Sequence, residues 1–223
     1  MTSETKDIIQ TELLPEDYNK YDLSFKMIVV GDAGVGKSCL TSKVSKGIFE
    51  ELYAPTIGFE FLVFNVKIND KVVKLQIWDT CGQELYRSLI SSFYRNSSLA
   101  MMVYAINNKE SFNHIKSWLK EVKLQSNPDV KIFLIGNKSD LDKERKVKEE
   151  DARIFMEENG IHFFSETSAK NGINAKEVFV GAAKLLYSEH LKYKENKNKL
   201  VRSYLPKPTK LNRNNKKNEG CCG

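Results

Sequence analysis

The sequence G-D-A-G-V-G-K-S fills Gly31 to Ser38 and directly follows the apolar run Phe25 to Val30. It matches the pattern G-x-x-x-x-G-K-[ST], in which glycines let consecutive backbone N–H groups converge on phosphate oxygens. In that pattern the lysine reaches the β and γ phosphates, and the final hydroxyl ligates Mg²⁺. A helix that begins here adds the positive end of its dipole. The stretch therefore predicts a strand, a phosphate loop and a helix that bind a nucleoside triphosphate.

Outward from this loop, short apolar runs alternate with segments of helical periodicity, which is typical of β-α units on a largely parallel sheet. Asn69-Asp70 separates two of the runs closely enough to predict an antiparallel hairpin. The prediction is a doubly wound α/β domain. Its predicted strands are Phe25–Val30, Phe61–Ile68, Val72–Asp79, Leu99–Ala105, Lys131–Gly136 and His162–Ser165. Its clearest predicted helices are Lys37–Lys46, Glu110–Gln125, Lys148–Glu158 and Ala175–Leu191.

Length and composition indicate one globular domain with tails: 223 residues, of which 41% are hydrophobic and 29% charged. We expect a mobile N-terminal extension over 1–23, which has no persistent period, a folded domain over 24–191, and a mobile basic tail over 192–223. No apolar run approaches the roughly 18 residues of a membrane span, and the N-terminus is polar rather than signal-like. The four cysteines are too few for a disulfide framework, so a reducing cytoplasm is expected.

The net charge of +6 comes from the tail. Lys192 to Glu219 contains ten Lys or Arg and two Glu, which leaves the rest of the chain at −2. A nucleic-acid-binding domain would carry its basic residues on the folded surface. We therefore expect no nucleic-acid partner.

The motif Asn137-Lys138-Ser139-Asp140 follows another apolar strand, which would bring it to the same sheet edge as the phosphate loop. In N-K-x-D motifs the Asp carboxylate accepts two N–H bonds from guanine. Adenine lacks these donors and would leave the carboxylate unpaired, at a cost of about 1 to 3 kcal/mol. A second base-contacting loop is predicted at E-T-S-A-K, Glu166 to Lys170. Together these loops predict a guanine nucleotide.

With these motifs the chain resembles the small GTPases of the Ras superfamily, and specifically the Rab branch, from about Ser24 to Leu191. The general motifs are the phosphate loop, A-P-T-I-G-F-E-F at 54–61, W-D-T-C-G-Q-E at 78–84, N-K-S-D and E-T-S-A-K. The Rab-like ones are I-G-F-E-F at 57–61, K-L-Q-I-W at 74–78, Y-R-S-L-I at 86–90 and F-Y-R at 93–95. The resemblance implies six strands, one of them antiparallel, and about five helices.

The resemblance also implies the roles of individual residues. Nucleotide contacts fall on Gly34, Val35, Gly36, Lys37, Ser38, Cys39, Phe49, Thr56, Gly82, Asn137, Lys138, Asp140, Ser168, Ala169 and Lys170. The implied ligands of Mg²⁺ are Ser38 and Thr56, and Asp79 would bind it through a water. Thr56 and Gly82 respond to the γ phosphate, so its loss lets both loops relax. Phe49 would contact the edge of guanine, and the alternative is an ordinary core phenylalanine.

The implied reaction is hydrolysis of GTP to GDP and phosphate by a water that Gln83 orients. Such sites are slow until a partner supplies an arginine, which accelerates them by about 10³ to 10⁵. The implied partners are a GTPase-activating protein, an exchange factor and effectors, with the protein itself a monomer. Cys81 stands where most relatives carry Ala. The alternative is thus a GTP-binding scaffold with impaired hydrolysis. A phosphate-loop kinase or ATPase disagrees with N-K-S-D and E-T-S-A-K.

The sequence closes with E-G-C-C-G, where Cys221 and Cys222 follow the basic tail. This resembles the double-cysteine ends of Rabs, on which both cysteines carry geranylgeranyl chains, and the alternative is an unmodified tail with exposed thiols. Two lipids and a basic segment suffice for stable anchoring. The expected location is the cytoplasmic face of an endomembrane, with cycling through the cytosol on a GDI-like prenyl-binding chaperone. The elements S-F-N-H at 111–114 and R-S-L-I at 87–90 resemble Rabs of the Golgi and early secretory route.

Overall fold

The structure is a computed structural model that describes residues 10–49, 58–81 and 93–204. Its strands are β1 (Thr11–Leu14), β2 (Leu23–Val30), β3 (Phe59–Ile68), β4 (Lys71–Thr80), β5 (Leu99–Ala105), β6 (Lys131–Asn137) and β7 (Phe163–Glu166). Its helices are α1 (Lys37–Ser45), α2 (Lys109–Asn113), α3 (Ile115–Gln125), α4 (Glu149–Asn159) and α5 (Ala175–Tyr204), with a 3-10 helix at Ser139–Glu144.

The strands form one sheet in the order β1-β3-β4-β2-β5-β6-β7. β3 runs antiparallel to β1 and to β4, whereas the pairs β2–β4, β2–β5, β5–β6 and β6–β7 are parallel. The β3–β4 hairpin turns at Asn69, whose φ of 55° is in the left-handed region that Asn tolerates. The predicted α/β class, the hairpin and the single antiparallel strand are confirmed.

A seventh strand, β1, was not predicted. Thr11–Leu14 pairs with Ile68–Asn65 at the edge of the sheet, inside the segment that we expected to be irregular. The Asn65 side chain, which is only 1% exposed, donates from Nδ2 to the carbonyls of Pro15, Glu16 and Tyr18 at 2.9, 3.2 and 3.2 Å. The sequence did not indicate β1 because its four residues are largely exposed and show no apolar alternation. The Asn65 amide that holds the following turn is also far away in sequence.

The sheet is covered on both faces, as its continuous apolar strands predict. Along β2, Met27 and Val29 enter one core cluster while Ile28 and Val30 enter the other. This alternation follows from the two-residue period of a strand. The first cluster includes residues of α1 and α5, and the second includes residues of α3 and α4. The end of β2, from which the phosphate loop leaves, therefore lies deep in the domain.

Two predicted helices differ from the structure by more than one residue at an end. The helix predicted over Glu110–Gln125 is divided at His114, where the Ser117 hydroxyl donates to the His114 carbonyl at 2.8 Å. Such side-chain bonds compete with the main-chain bonds of a helix. The last helix was predicted to end at Leu191, but it continues to Tyr204 through part of the predicted tail. Contacts divide the chain into the units Met1–Ser188 and Glu189–Gly223.

Within the described ranges, no helix combines the length and apolar character that a membrane crossing requires.

We expect Asn65→Ala to lower the free energy of unfolding by about 1 to 3 kcal/mol, because three carbonyls lose a buried donor. Urea denaturation followed by circular dichroism measures this loss. Lys67→Ala on the same strand is the control, since its 3.8 Å ion pair with Glu12 is exposed and should change stability by less than about 0.5 kcal/mol. Equal losses in the two variants would contradict the role of Asn65.

Candidate functional site

The loop between β2 and α1 follows a path that only glycine permits at two points. At Gly31, with φ of 142°, an added Cβ would lie 2.1 Å from the Val103 carbonyl oxygen. At Gly36, with φ of 91°, it would lie 2.5 Å from Asn137 Nδ2. Both positive φ angles disfavour L side chains. The backbone of the loop thus packs closely against β5 and β6.

Helix α1 begins at Lys37, directly after Gly36, which has no side chain to cap it. The first-turn N–H groups of a helix have no intrahelical partners, so they form an anion-binding end. Lys37 is 5% exposed, and its Nζ donates to the carbonyls of Gly31 at 2.8 Å and Asp32 at 2.9 Å. Burial lowers the pKa of Lys37, while the charges of Asp79 and Asp32 oppose that shift. A buried cation at an open helix N-terminus suits a phosphate group.

Ser38 and Asp79 meet at the base of this loop. The Ser38 hydroxyl donates to Asp79 Oδ2. Asp79 is fully buried, and its Oδ1 has no hydrogen-bond partner among the described residues. Burial raises the pKa of Asp79 to about 6, with the Ser38 bond and the charge of Lys37 acting in the opposite direction. A hydroxyl beside an orphaned carboxylate oxygen is a donor set that fits Mg²⁺.

The Asn137 side chain joins three loops. Its Nδ2 donates to the carbonyls of Val35 at 2.9 Å and Gly36 at 3.3 Å, both in the phosphate loop. Its Oδ1 accepts from Thr167 Oγ1 at 3.2 Å and from the Ala169 N–H at 3.3 Å, both in E-T-S-A-K. Asn137 itself begins N-K-S-D. One buried amide therefore brings together the phosphate loop, N-K-S-D and E-T-S-A-K, of which the sequence predicted only the first two to share a sheet edge.

The two predicted base-contacting loops are also bonded to each other. Ser168 Oγ, in a fully buried residue, donates to Asp140 Oδ1 at 2.6 Å, which orients that carboxylate. Lys138 has a left-handed φ of 66° and is half-buried where the 3-10 helix begins. Lys170 is exposed. These positions place a carboxylate and a lysine at the mouth of the site, next to the phosphate loop.

An arginine that sequence reasoning missed supports this arrangement. Arg145 donates to both oxygens of Glu166, at 2.6 and 2.8 Å, and from Nε to Asp142 at 2.7 Å. The Glu166 side chain is 13% exposed, and these bonds raise the pKa of Arg145 above its ordinary value. The two-pronged pair fixes E-T-S-A-K against the end of the 3-10 helix. A contact across 21 residues leaves no local pattern that could have indicated it.

The remaining predicted site residues have different settings. Phe49 and Cys39 are half-buried and pack against the first core cluster. Cys81 is 2% exposed, and its N–H donates to the Gly58 carbonyl at 3.0 Å. Five predicted residues lie outside the described ranges: Thr56, Gly82, Gln83, Cys221 and Cys222. The nucleotide and metal contacts of all the site residues stay predictions.

An exposed aromatic patch lies on β3 and β4. Phe59 and Phe61 are 47% and 46% exposed, and their rings contact Trp78 at centroid distances of 5.3 and 5.2 Å. Phe93 packs against Phe59 at 4.5 Å and against Trp78 at 5.1 Å. Exposed apolar clusters of this kind are typical of protein-binding surfaces.

A comparison with protein-family models bears on this site. The model described as the Ras family matches residues 26–188, well over half of the chain. The matched range includes the phosphate loop, N-K-S-D and E-T-S-A-K.

Removal of the two-pronged ion pair should destabilise the domain. We expect Arg145→Ala to lower the free energy of unfolding by about 2 to 3 kcal/mol, because Glu166 would keep a partly buried charge without its donors. The control is Arg153→Ala, whose pair with Glu149 is half exposed and should contribute less than about 1 kcal/mol. Urea unfolding of both variants measures the difference, and a smaller loss in Arg145→Ala would disprove the clamp.

Proposed function

The chain belongs to the Ras family, and from this premise we propose that it acts as a Rab-like switch that recruits effectors to an intracellular membrane in vesicle trafficking. The family assignment itself makes it a small GTPase. Proteins of this class bind guanine nucleotide, typically with Mg²⁺, hydrolyse GTP and respond to regulators and effectors. The Rab identity, the trafficking role and the membrane are our proposals.

The observation that carries the nucleotide-binding part of the proposal is the convergence of the three nucleotide motifs on Asn137. Its amide bonds to Val35 and Gly36 of the phosphate loop and to Thr167 and Ala169 of E-T-S-A-K. Phosphate recognition and base recognition are therefore held in fixed relation by one buried group. This is the arrangement that a guanine nucleotide, with a base at one end and phosphates at the other, requires.

In the proposed reaction, a water oxygen attacks the γ phosphorus of GTP. The bond from that phosphorus to the β–γ bridging oxygen breaks and GDP leaves. One proton of the water stays on the attacking oxygen, and the other passes to an oxygen of the released phosphate. Lys37 offsets the negative charge of the phosphate oxygens, and Gln83 orients the water. Ser38 and Thr56, with Asp79 through a water, would hold Mg²⁺, which would offset phosphate charge when bound. Catalysis is positioning and electrostatics, so a partner's arginine would accelerate it.

Effector binding and anchoring are proposed for two separate parts of the chain. The exposed aromatic patch on β3 and β4 follows the segment that contains Thr56, so a change in that loop on hydrolysis would reach it. Cys221 and Cys222 would carry prenyl groups, and the basic tail would add attraction to an anionic leaflet. The proposed location is the cytoplasmic face of an endomembrane on the secretory route, with transit through the cytosol on a prenyl-binding chaperone.

Single-turnover hydrolysis tests the enzymatic part. With Mg²⁺ the wild type should convert bound GTP slowly, Gln83→Leu should lose at least about tenfold in rate because the water is no longer oriented, and GDP but not ADP should compete for binding. Gln10→Leu, an exposed position, is the control. Tight GTP binding without turnover would favour the scaffold alternative, and competition by ADP would contradict the guanine assignment.

Vesicle flotation tests the anchor. After incubation with geranylgeranyl donor and a cell extract, the wild type should float with anionic vesicles, whereas Cys221→Ser/Cys222→Ser should stay in solution because it lacks both lipids. Asn214→Ser/Asn215→Ser in the same tail is the matched control and should float. Flotation of the double cysteine variant would contradict lipid anchoring at these residues.

A further inference from the structure

Asp32 lies in the phosphate loop, and its carboxylate is bonded to helix α3 and to the residue directly before that helix. Its Oδ1 accepts from the indole N–H of Trp118 at 2.8 Å, and its Oδ2 lies 2.7 Å from Nδ1 of His114, which donates to it. The Asp32 side chain is 22% exposed. Each of its oxygens thus has a donor on the first turn of α3 or directly before it.

The main chain of Asp32 is bonded on the opposite side. Its carbonyl accepts from Lys37 Nζ at 2.9 Å, next to the Gly31 carbonyl, which accepts from the same Nζ at 2.8 Å. One residue therefore joins α3, through its side chain, to the lysine of the phosphate loop, through its backbone. A displacement at Trp118 or at Lys37 would be transmitted over these two bonds.

The loop around Asp32 contains three glycines, and the Asn137 amide bonds only to its last part, at the carbonyls of Val35 and Gly36. Gly31 and Gly34 have φ of 142° and 76°, and no atom lies within 4 Å of the point where a Cβ of Gly34 would stand. Glycine loses more conformational freedom on ordering than any other residue, so a path through several glycines is entropically costly to hold. A bond to a rigid element reduces that cost only if it is present before the ligand arrives.

Helix α3 is such a rigid element. Trp118 is 1% exposed and belongs to the second core cluster, together with Ile115, Leu119 and Val122 of the same helix. The indole N–H is the only polar group of this buried side chain, and buried indoles generally retain a hydrogen-bond partner. Trp118 is thus fixed by packing, and its N–H direction is fixed with it. His114 is 45% exposed and adds a second, weaker tie.

We propose that Asp32 is a positioning residue that docks the phosphate loop on α3 and thereby slows release of the nucleotide. It acts through the loop's backbone and through Lys37, without contact to the phosphates from its own carboxylate. Preorganisation of this kind increases affinity because less ordering remains to be done on binding. The inference rests on the proposed function, since it needs a nucleotide in the site.

The test is the rate at which fluorescent GDP dissociates from the full-length protein in Mg²⁺. Trp118→Phe removes the N–H and keeps an aromatic ring in the core, and Asp32→Ala removes both acceptor oxygens. Loss of a charge-assisted hydrogen bond should accelerate release roughly tenfold in each variant. Lys123→Met, which removes a 3.1 Å bond from α3 to the Asn159 carbonyl, should release GDP at the wild-type rate.

Two further readouts separate positioning from general loss of stability. The combined variant Asp32→Ala/Trp118→Phe should release GDP little faster than either single variant, because all three break the bond between Asp32 and Trp118. Competition by GMP, which lacks the β phosphate, should weaken much less than competition by GDP. General loosening of the domain would instead weaken GMP and GDP alike.

Unchanged GDP release in both single variants would overturn the inference while leaving the proposed function intact, and so would equal losses for GMP and GDP. If the wild type bound no GDP at all, the proposed function would fail and this inference with it. Faster release confined to Asp32→Ala and Trp118→Phe, with Lys123→Met unaffected, is the result that the docking bond requires.

Discussion

The structure depends above all on the hydrogen-bonding capacity of one buried amide, that of Asn137. A side-chain amide has two donor hydrogens and one carbonyl oxygen with two lone pairs, and all of them have partners here. A buried polar group without partners costs about 1 to 3 kcal/mol. Separation of the three loops would leave such groups unpaired, so this cost stabilises their arrangement. No apolar residue of similar size could replace Asn137, because it could not bond to the backbone groups of the neighbouring loops.

The sheet explains why such a group can reach all three loops. β2, β6 and β7 run parallel, so their carboxyl ends meet at one edge, where ligands of open α/β sheets bind. β2 and β6 are separated by β5 alone. The loop after β2 must therefore cross in front of β5, and the short distance from Gly36 to Asn137 Nδ2 leaves no space for a side chain. The glycines of the loop are therefore required by the close packing against neighbouring strands as well as by phosphate binding.

Sequence patterns predicted the elements that bury continuous apolar runs, such as β2 and β5, and the hairpin whose turn contains Asn69. They failed where something other than the apolar pattern decides the local structure. β1 depends on pairing with β3, and a single side-chain bond accompanies the break at His114. The last helix continues beyond the end of its apolar stripe. The same holds for the site. N-K-S-D and E-T-S-A-K are visible as strings, whereas the bonds of Arg145 to Glu166 and of Asp32 to Trp118 exist only after folding.

The edge strand β1 has a practical meaning for anyone who divides this chain. The family match begins at residue 26, inside β2, whereas the folded sheet already includes Thr11–Leu14. A fragment cut at the family boundary would lose the first residues of a central strand and bare the outer N–H and C=O groups of β3 from Asn65 to Ile68. Bare edges of this kind recruit strands from other molecules. Aggregation or poor solubility of such a fragment would result from the loss of residues 11–14, rather than from any defect of the domain.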